Sequence, residues 1–156
     1  MLDMLRLRSG PQDLPAGWPL AALLTAAYLA QGLYADQVMG DAEGSYRSLL
    51  SILVQFGVVA VLLRARNLSS RLAQTISALA GTGFVFGLFA LLILGQLEPG
   101  QPQPNLVLMY FGLFFWSLAV DGHIYRHALS VKMRLGLLLA VLIFGLNFLL
   151  LQALFG

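Results

Sequence analysis

From Leu135 to Phe155 the chain reads LGLLLAVLIFGLNFLLLQALF, without one charged side chain. At 1.5 Å per residue a helix of this length reaches about 30 Å, the thickness of a bilayer's hydrocarbon core. Nothing in the run alternates polar with apolar, as a membrane barrel strand must. One such helix can hide inside a soluble protein. Four more apolar runs precede it, however: Trp18–Tyr34, Ser48–Leu63, Leu72–Leu97 and Leu106–Val120. Hydrophobic residues make up 59% of the chain and charged ones 10%, against about 25% charged in a soluble domain. The expected fold is therefore all-α and polytopic, a bundle of five transmembrane helices in one integral membrane domain, 1–156. Its spans are expected over about 17–35, 47–64, 72–97, 105–125 and 134–155. For the first segment the rival reading is a cleavable leader ending at Ala30; we read it as a membrane helix.

Basic residues set the orientation. Arg6 and Arg8 lie in the head, which reads as short and polar. Arg64, Arg66 and Arg71 follow the second run, and Arg126, Lys132 and Arg134 follow the fourth. Eight of the nine basic residues thus fall on alternate connectors, and only Arg47 stands opposite, among Asp36, Asp41, Glu43 and Glu98. The N-terminus is expected in the cytoplasm and the C-terminus outside, in a multi-pass protein of the bacterial inner (plasma) membrane. The connector Pro99–Pro104, PGQPQP, reads as an extended loop.

Several chemistries are disfavoured at the outset. There is no cysteine, hence no disulfide, thiolate ligand or thiol nucleophile. The net charge of +2 gives no clustered basic face for nucleic acid. Gly81-Thr82-Gly83 lies within an apolar run and lacks the lysine of a phosphate-binding loop. No catalytic constellation is apparent, so neither an enzyme nor a cofactor is expected.

Polar and small residues inside the runs are the candidates for interaction. Thr25, Gln55, Thr82 with Gly83, Gly112 and Asn147 fall near the middle of successive spans. They suit either interhelical hydrogen bonding or a polar path for a small solute. Gly83 and Gly87 form a GxxxG pair, and Ala22, Ala26 and Ala30 share a face of the first helix, both patterns that let helices approach closely. Whether these faces meet within one chain or against a partner is left open.

The densest polar stretch is WSLAVDGHIYRHALSVKMR, Trp116 to Arg134. His123 and His127 are four apart and share a helical face, a spacing that can grip a metal, yet zinc wants a third protein ligand. Asp121 lies about 200° round the helix from His123 and cannot join them. An interfacial, partly solvated histidine pair is the preferred reading, with no metal. The fourth run is too short to span, and the prolines before it do not extend a helix readily. The helix should therefore continue through Asp121 towards Tyr125, bringing a carboxylate to the membrane edge. There it is expected to pair with Arg64, Arg66, Arg71, Lys132 or Arg134.

Trp116, then Arg126-His127-Ala128-Leu129, then a glycine-containing last helix resemble small bacterial inner-membrane proteins of the Yip1-like type. The resemblance covers Leu72–Gly156, and the first two spans in layout only. It implies five spans with the N-terminus inside and the C-terminus outside. The long cytosolic N-terminal region and the Asp-Leu-Tyr and Gly-Pro signatures of the eukaryotic members are missing, so no trafficking role is implied. The first functional expectation is a non-enzymatic scaffold or accessory subunit, working through the bilayer with other membrane subunits or by self-association. Asp121, His123, Arg126, His127, Gly83, Gly87, Gln55 and Asn147 are its structural or interaction candidates. The alternative is a small transporter or channel component with a polar midplane path.

Overall fold

A computed structural model describes residues 2–38, 44–98 and 100–155. Asp41 and Glu43, on which part of the charge argument rests, and Pro99 of the proline-rich connector lie outside the described residues. Five long helices carry the fold: α2 (Trp18–Val38), α3 (Gly44–Ala65), α4 (Leu72–Leu94), α5 (Pro104–Ala128) and α6 (Met133–Phe155). One turn of helix, α1 (Leu2–Leu5), precedes them, with 3-10 turns at Pro11–Asp13 and Ser69–Arg71. The described residues contain no strand.

Local chemistry sets where the helices stop. Pro104 opens α5 at its first position, where a missing N–H costs nothing and φ is already helical. After α3, Asn67 takes a left-handed φ of 58°, and Leu68 N–H returns to the Leu63 carbonyl at 2.7 Å. Ser130 does the same after α5, at φ 53°, with Val131 N–H bonded to the Arg126 carbonyl at 2.9 Å. Both are C-terminal motifs that satisfy orphan carbonyls with a residue other than glycine in the left-handed position. Arg71 reinforces the second. Its Nη1 donates to the His127 and Ala128 carbonyls at 3.2 Å and to Ser130 Oγ at 2.7 Å, a cation set at the negative end of α5.

Helix neighbours form a ring, α2–α4–α5–α6–α3 and back to α2. Packing is most intimate between α5 and α6 and between α2 and α4, and slightest across the α3–α6 seam. The head, the α3–α4 connector and the α5–α6 connector share one end, as the Arg71 bonds and the bond from Gln74 Nε2 to the Leu14 carbonyl show. At the opposite end Arg47 joins α3 to the last residues of α6. Its Nη2 donates to the Phe155 carbonyl at 3.2 Å, and its guanidinium stands over the Phe155 ring.

Four helical stretches are long and apolar enough to cross a membrane: Arg47–Ala65, Ser69–Leu94, Pro104–Ala128 and Met133–Phe155. At 21 residues α2 has the length but falls below them in hydropathy, because Gln31, Asp36 and Gln37 interrupt it. Among the described residues, four span-capable helices rather than five are what the fold itself supplies.

One expectation is overturned here. The head is not a polar fringe. Met4 and Leu5 are buried, packed with Val120, Ile124 and Ala78 of α5 and α4. Ala22, Ala26 and Ala30, whose partner was left open, are all exposed, so theirs is not the face that meets α4. The face of α2 that meets α4 carries Ala21, Tyr28 and Gln31 instead. Gly83 and Gly87 open the space for it: a Cβ at Gly83 would come within 2.8 Å of the Tyr28 ring, and one at Gly87 within 2.5 Å of Gln31 Oε1. Gln31 Nε2 then donates to the Phe84 carbonyl at 3.0 Å. The GxxxG pair thus works inside one chain, seating two polar side chains of the least apolar long helix.

Candidate functional site

Helix α5 runs on through Asp121, so Ser117, Asp121 and Tyr125, spaced four apart, fall on one face. That face lines a cavity of about 380 Å³ inside the ring. Each long helix adds to the wall: Tyr28 from α2, Ser51 and Gln55 from α3, Gly83 and Gly87 from α4, and Asn147 from α6. Gln55 Nε2 donates to the Tyr125 hydroxyl at 3.2 Å, tying α3 to α5 across the cavity. Tyr28 and Tyr125 both lie within reach of the Asp121 charge. Phe86, Phe114, Phe144 and Phe148 make up much of the remaining wall.

Leu79, Tyr125, Ala140 and Ile143, nearest the basic connectors, are all buried. Tyr110, Phe144 and Phe148, further towards the opposite end, are exposed. The α3–α6 seam runs beside Gln55 and Asn147.

Asp121 does not form the expected ion pair. Among the described residues it has no basic partner, and no lysine, arginine or histidine lines the cavity. The reason is direction. The Ser117–Tyr125 face points into the ring, whereas Arg64, Arg66, Lys132 and Arg134 are exposed and Arg71 is engaged with the end of α5.

On a different side of α5 the two histidines hold the head. His123 Nε2 donates to the Ser9 carbonyl at 3.1 Å, and His127 Nδ1 lies 3.5 Å from Gln12 Nε2. Their rings meet edge to face at 4.5 Å. His123 is buried, so the expectation of a partly solvated pair fails for that member. Among the described residues no third histidine or carboxylate joins them as a metal site. About two turns before His123, Trp116 Nε1 donates to the Leu5 carbonyl at 2.9 Å and its ring packs edge-on against Phe86. Arg126 is half-buried, its Cβ 3.0 Å from where a Cβ on Gly136 would stand.

Of the sequence candidates, the structure brings Gln55, Gly83, Gly87, Asp121 and Asn147 to the cavity and leaves His123, Arg126 and His127 outside it. Thr82 also stays out, because its hydroxyl bonds the Ala78 carbonyl of its own helix at 2.7 Å. Gly112 is exposed, with nothing near it. Tyr28 escaped sequence reasoning, since a tyrosine among alanines and leucines carries no positional signal. The closest backbone approach, Gly122 of α5 against Gly136 of α6, escaped it too, although each lies seven residues from Leu129 at the hairpin turn. No family model matches this chain, and neither a curated protein nor a solved structure is found to match it.

Proposed function

We propose that this is a multi-pass protein of the bacterial inner membrane that holds a small solute within its ring of helices, as a transporter or channel component. One observation carries the reading. Polar side chains from four of the five long helices converge on a cavity that contains an unpaired carboxylate, and Gly83 and Gly87 of α4 complete its wall. Helix packing alone gives no reason to keep such a group, since a membrane-embedded acid is costly and marks a functional site by default. A volume near 380 Å³ lies in the range of small-molecule pockets, roughly 300–1,000 Å³.

In this reading α2 is a fifth span, made tolerable by seating Gln31 on α4 and turning Tyr28 into the cavity. The N-terminus is then cytoplasmic and the C-terminus outside, the layout that the Yip1-like resemblance also implies, and the cavity opens away from the cytoplasm. We assign no reaction to the site, because Asp121 is the single carboxylate in its lining and no histidine stands beside it. A scaffold or accessory-subunit role is the second reading. It is favoured by the exposed Ala22, Ala26 and Ala30 stripe on α2, which suits close contact with another membrane helix.

Single cysteines test the first reading in a chain that has none of its own. Ser117→Cys and Ser51→Cys, in the cavity wall, should react with a small methanethiosulfonate reagent added from outside. Ser77→Cys, fully buried beyond the cavity, should not. Gln101→Cys should label from outside and Ser69→Cys only from inside. Inert cysteines at both 117 and 51 would remove the solute cavity, and external labelling at 69 would reverse the orientation.

A further inference from the structure

We propose that the solute this cavity takes is a small organic cation, an amine or quaternary ammonium group on an apolar body. The inference rests on the reading of the ring as a solute site and adds the chemical class. Charge comes first. Asp121 is the one ionisable acid in the wall, and no basic residue lines it. An anionic solute would meet that carboxylate with nothing to offset the repulsion. A neutral solute would leave it as it is, a carboxylate without a partner. A cation supplies the missing half of an ion pair in surroundings of low dielectric, where the attraction between opposite charges is greatest.

The wall beyond the carboxylate suits the same ligand. Tyr28, Tyr125, Phe86 and Phe114 share the wall with Asp121. Aromatic faces attract ammonium groups through their quadrupoles, most strongly where water is excluded. Gln55 and Ser117 add dipoles, but the Gln55 amide is already committed to the Tyr125 hydroxyl and the Ser117 hydroxyl to the Phe114 carbonyl at 2.8 Å. Donors do remain in the wall, at Ser51, Asn147 and the tyrosine hydroxyls, so the charge of Asp121 and the aromatic faces, rather than a lack of donors, favour the cation. An apolar body attached to the charge would find the remaining aromatic and aliphatic surface.

The test is isothermal titration of the full chain in non-ionic detergent with benzyltrimethylammonium, compared with uncharged N,N-dimethylbenzamide of similar size. The cation should bind saturably at one site per chain, and the amide at least tenfold more weakly. Asp121→Asn should weaken the cation at least tenfold and leave the amide unchanged, while Asp121→Glu should stay within about threefold of the parent. Should Asp121→Asn not fold, modification of Asp121 in the parent by dicyclohexylcarbodiimide, followed by mass spectrometry, takes its place. Benzyltrimethylammonium should slow that modification at least tenfold and the amide should not. Equal binding of the two compounds, an unaltered cation affinity in Asp121→Asn, or absence of protection would overturn the proposal and leave the solute cavity standing. Binding of neither compound to a protein whose Ser117→Cys variant reacts would overturn it likewise. If Ser117→Cys and Ser51→Cys are also inert, the cavity reading falls with it.

Discussion

Gly136→Ala should lower stability by about 3 kcal/mol or more, at the upper end of what overpacking costs. A Cβ at 136 collides with the Gly122 carbonyl and comes within 3.0 Å of the Arg126 backbone nitrogen. These obstacles belong to the main chain of α5, so no rotamer change relieves them. Gly122→Ala meets the same wall from the other side, at 2.9 Å from Leu137 Cα. Because α5 and α6 form the tightest pair in the ring, separating them would also open the cavity wall between Asp121 and Ala140. Gly57→Ala, Gly112→Ala and Gly145→Ala serve as controls, since a Cβ at any of them meets open space. They should melt like the parent or slightly higher, as alanine is the better helix former. Thermal unfolding in detergent with tryptophan emission would decide the matter. A Gly136→Ala protein melting with Gly145→Ala would mean that the hairpin is looser than the structure has it.

Gly83→Ala and Gly87→Ala should cost less. Their obstacles are the Tyr28 ring and the Gln31 amide, side-chain ends that can move. The movement is not neutral, however, for displacing Tyr28 alters the aromatic wall beside Asp121.

Removing residues 2–14 should have the second large effect. The segment takes with it two buried anchors, Met4 and Leu5, and four side-chain contacts, from Trp116, His123, His127 and Gln74. Such a bond is worth about 1 kcal/mol net, and each buried apolar side chain about 1.5–3 kcal/mol where water would replace its contacts. Even with lipid refilling part of the groove, a loss of roughly 4 kcal/mol follows, or about 10 °C in melting temperature for a chain of this size. A synthetic peptide of residues 2–16, added in trans, should restore a large part of it. If the truncated protein melts within about 2 °C of the parent, the head merely rests on the bundle.

How much of this could be read beforehand differs from element to element. The runs ending at Leu63 and Phe155 are so apolar that only a helix in lipid accommodates them, and α3 and α6 follow. Asp121 was separable from His123 by helical angle alone, and the two do serve different faces. What angle could not give was the direction of the Asp121 face, which depends on where α6 packs. That is fixed by Gly122 and Gly136, two glycines with no motif around them. The head misled for a related reason. Arg6, Arg8, Pro11 and Pro15 give MLDMLRLRSGPQDLP the composition of a solvated tail, yet its seat is built by Trp116 and His123, more than 110 residues away. The weaker hydropathy of α2 was visible in Gln31 and Asp36. That the first of them is satisfied by the Phe84 carbonyl on α4 was not.

The seat of the head has a temporal side. Met4, Leu5 and Ser9 are synthesised before any of the long helices, and Trp116, His123 and His127 are made only after three of those helices have emerged. Throughout that interval the head has no docking groove. It reaches its place only when α4 and α5 stand side by side, so its arrival marks a bundle whose inner half is already assembled. The segment thus waits, through the making of three helices, for the surfaces that hold it.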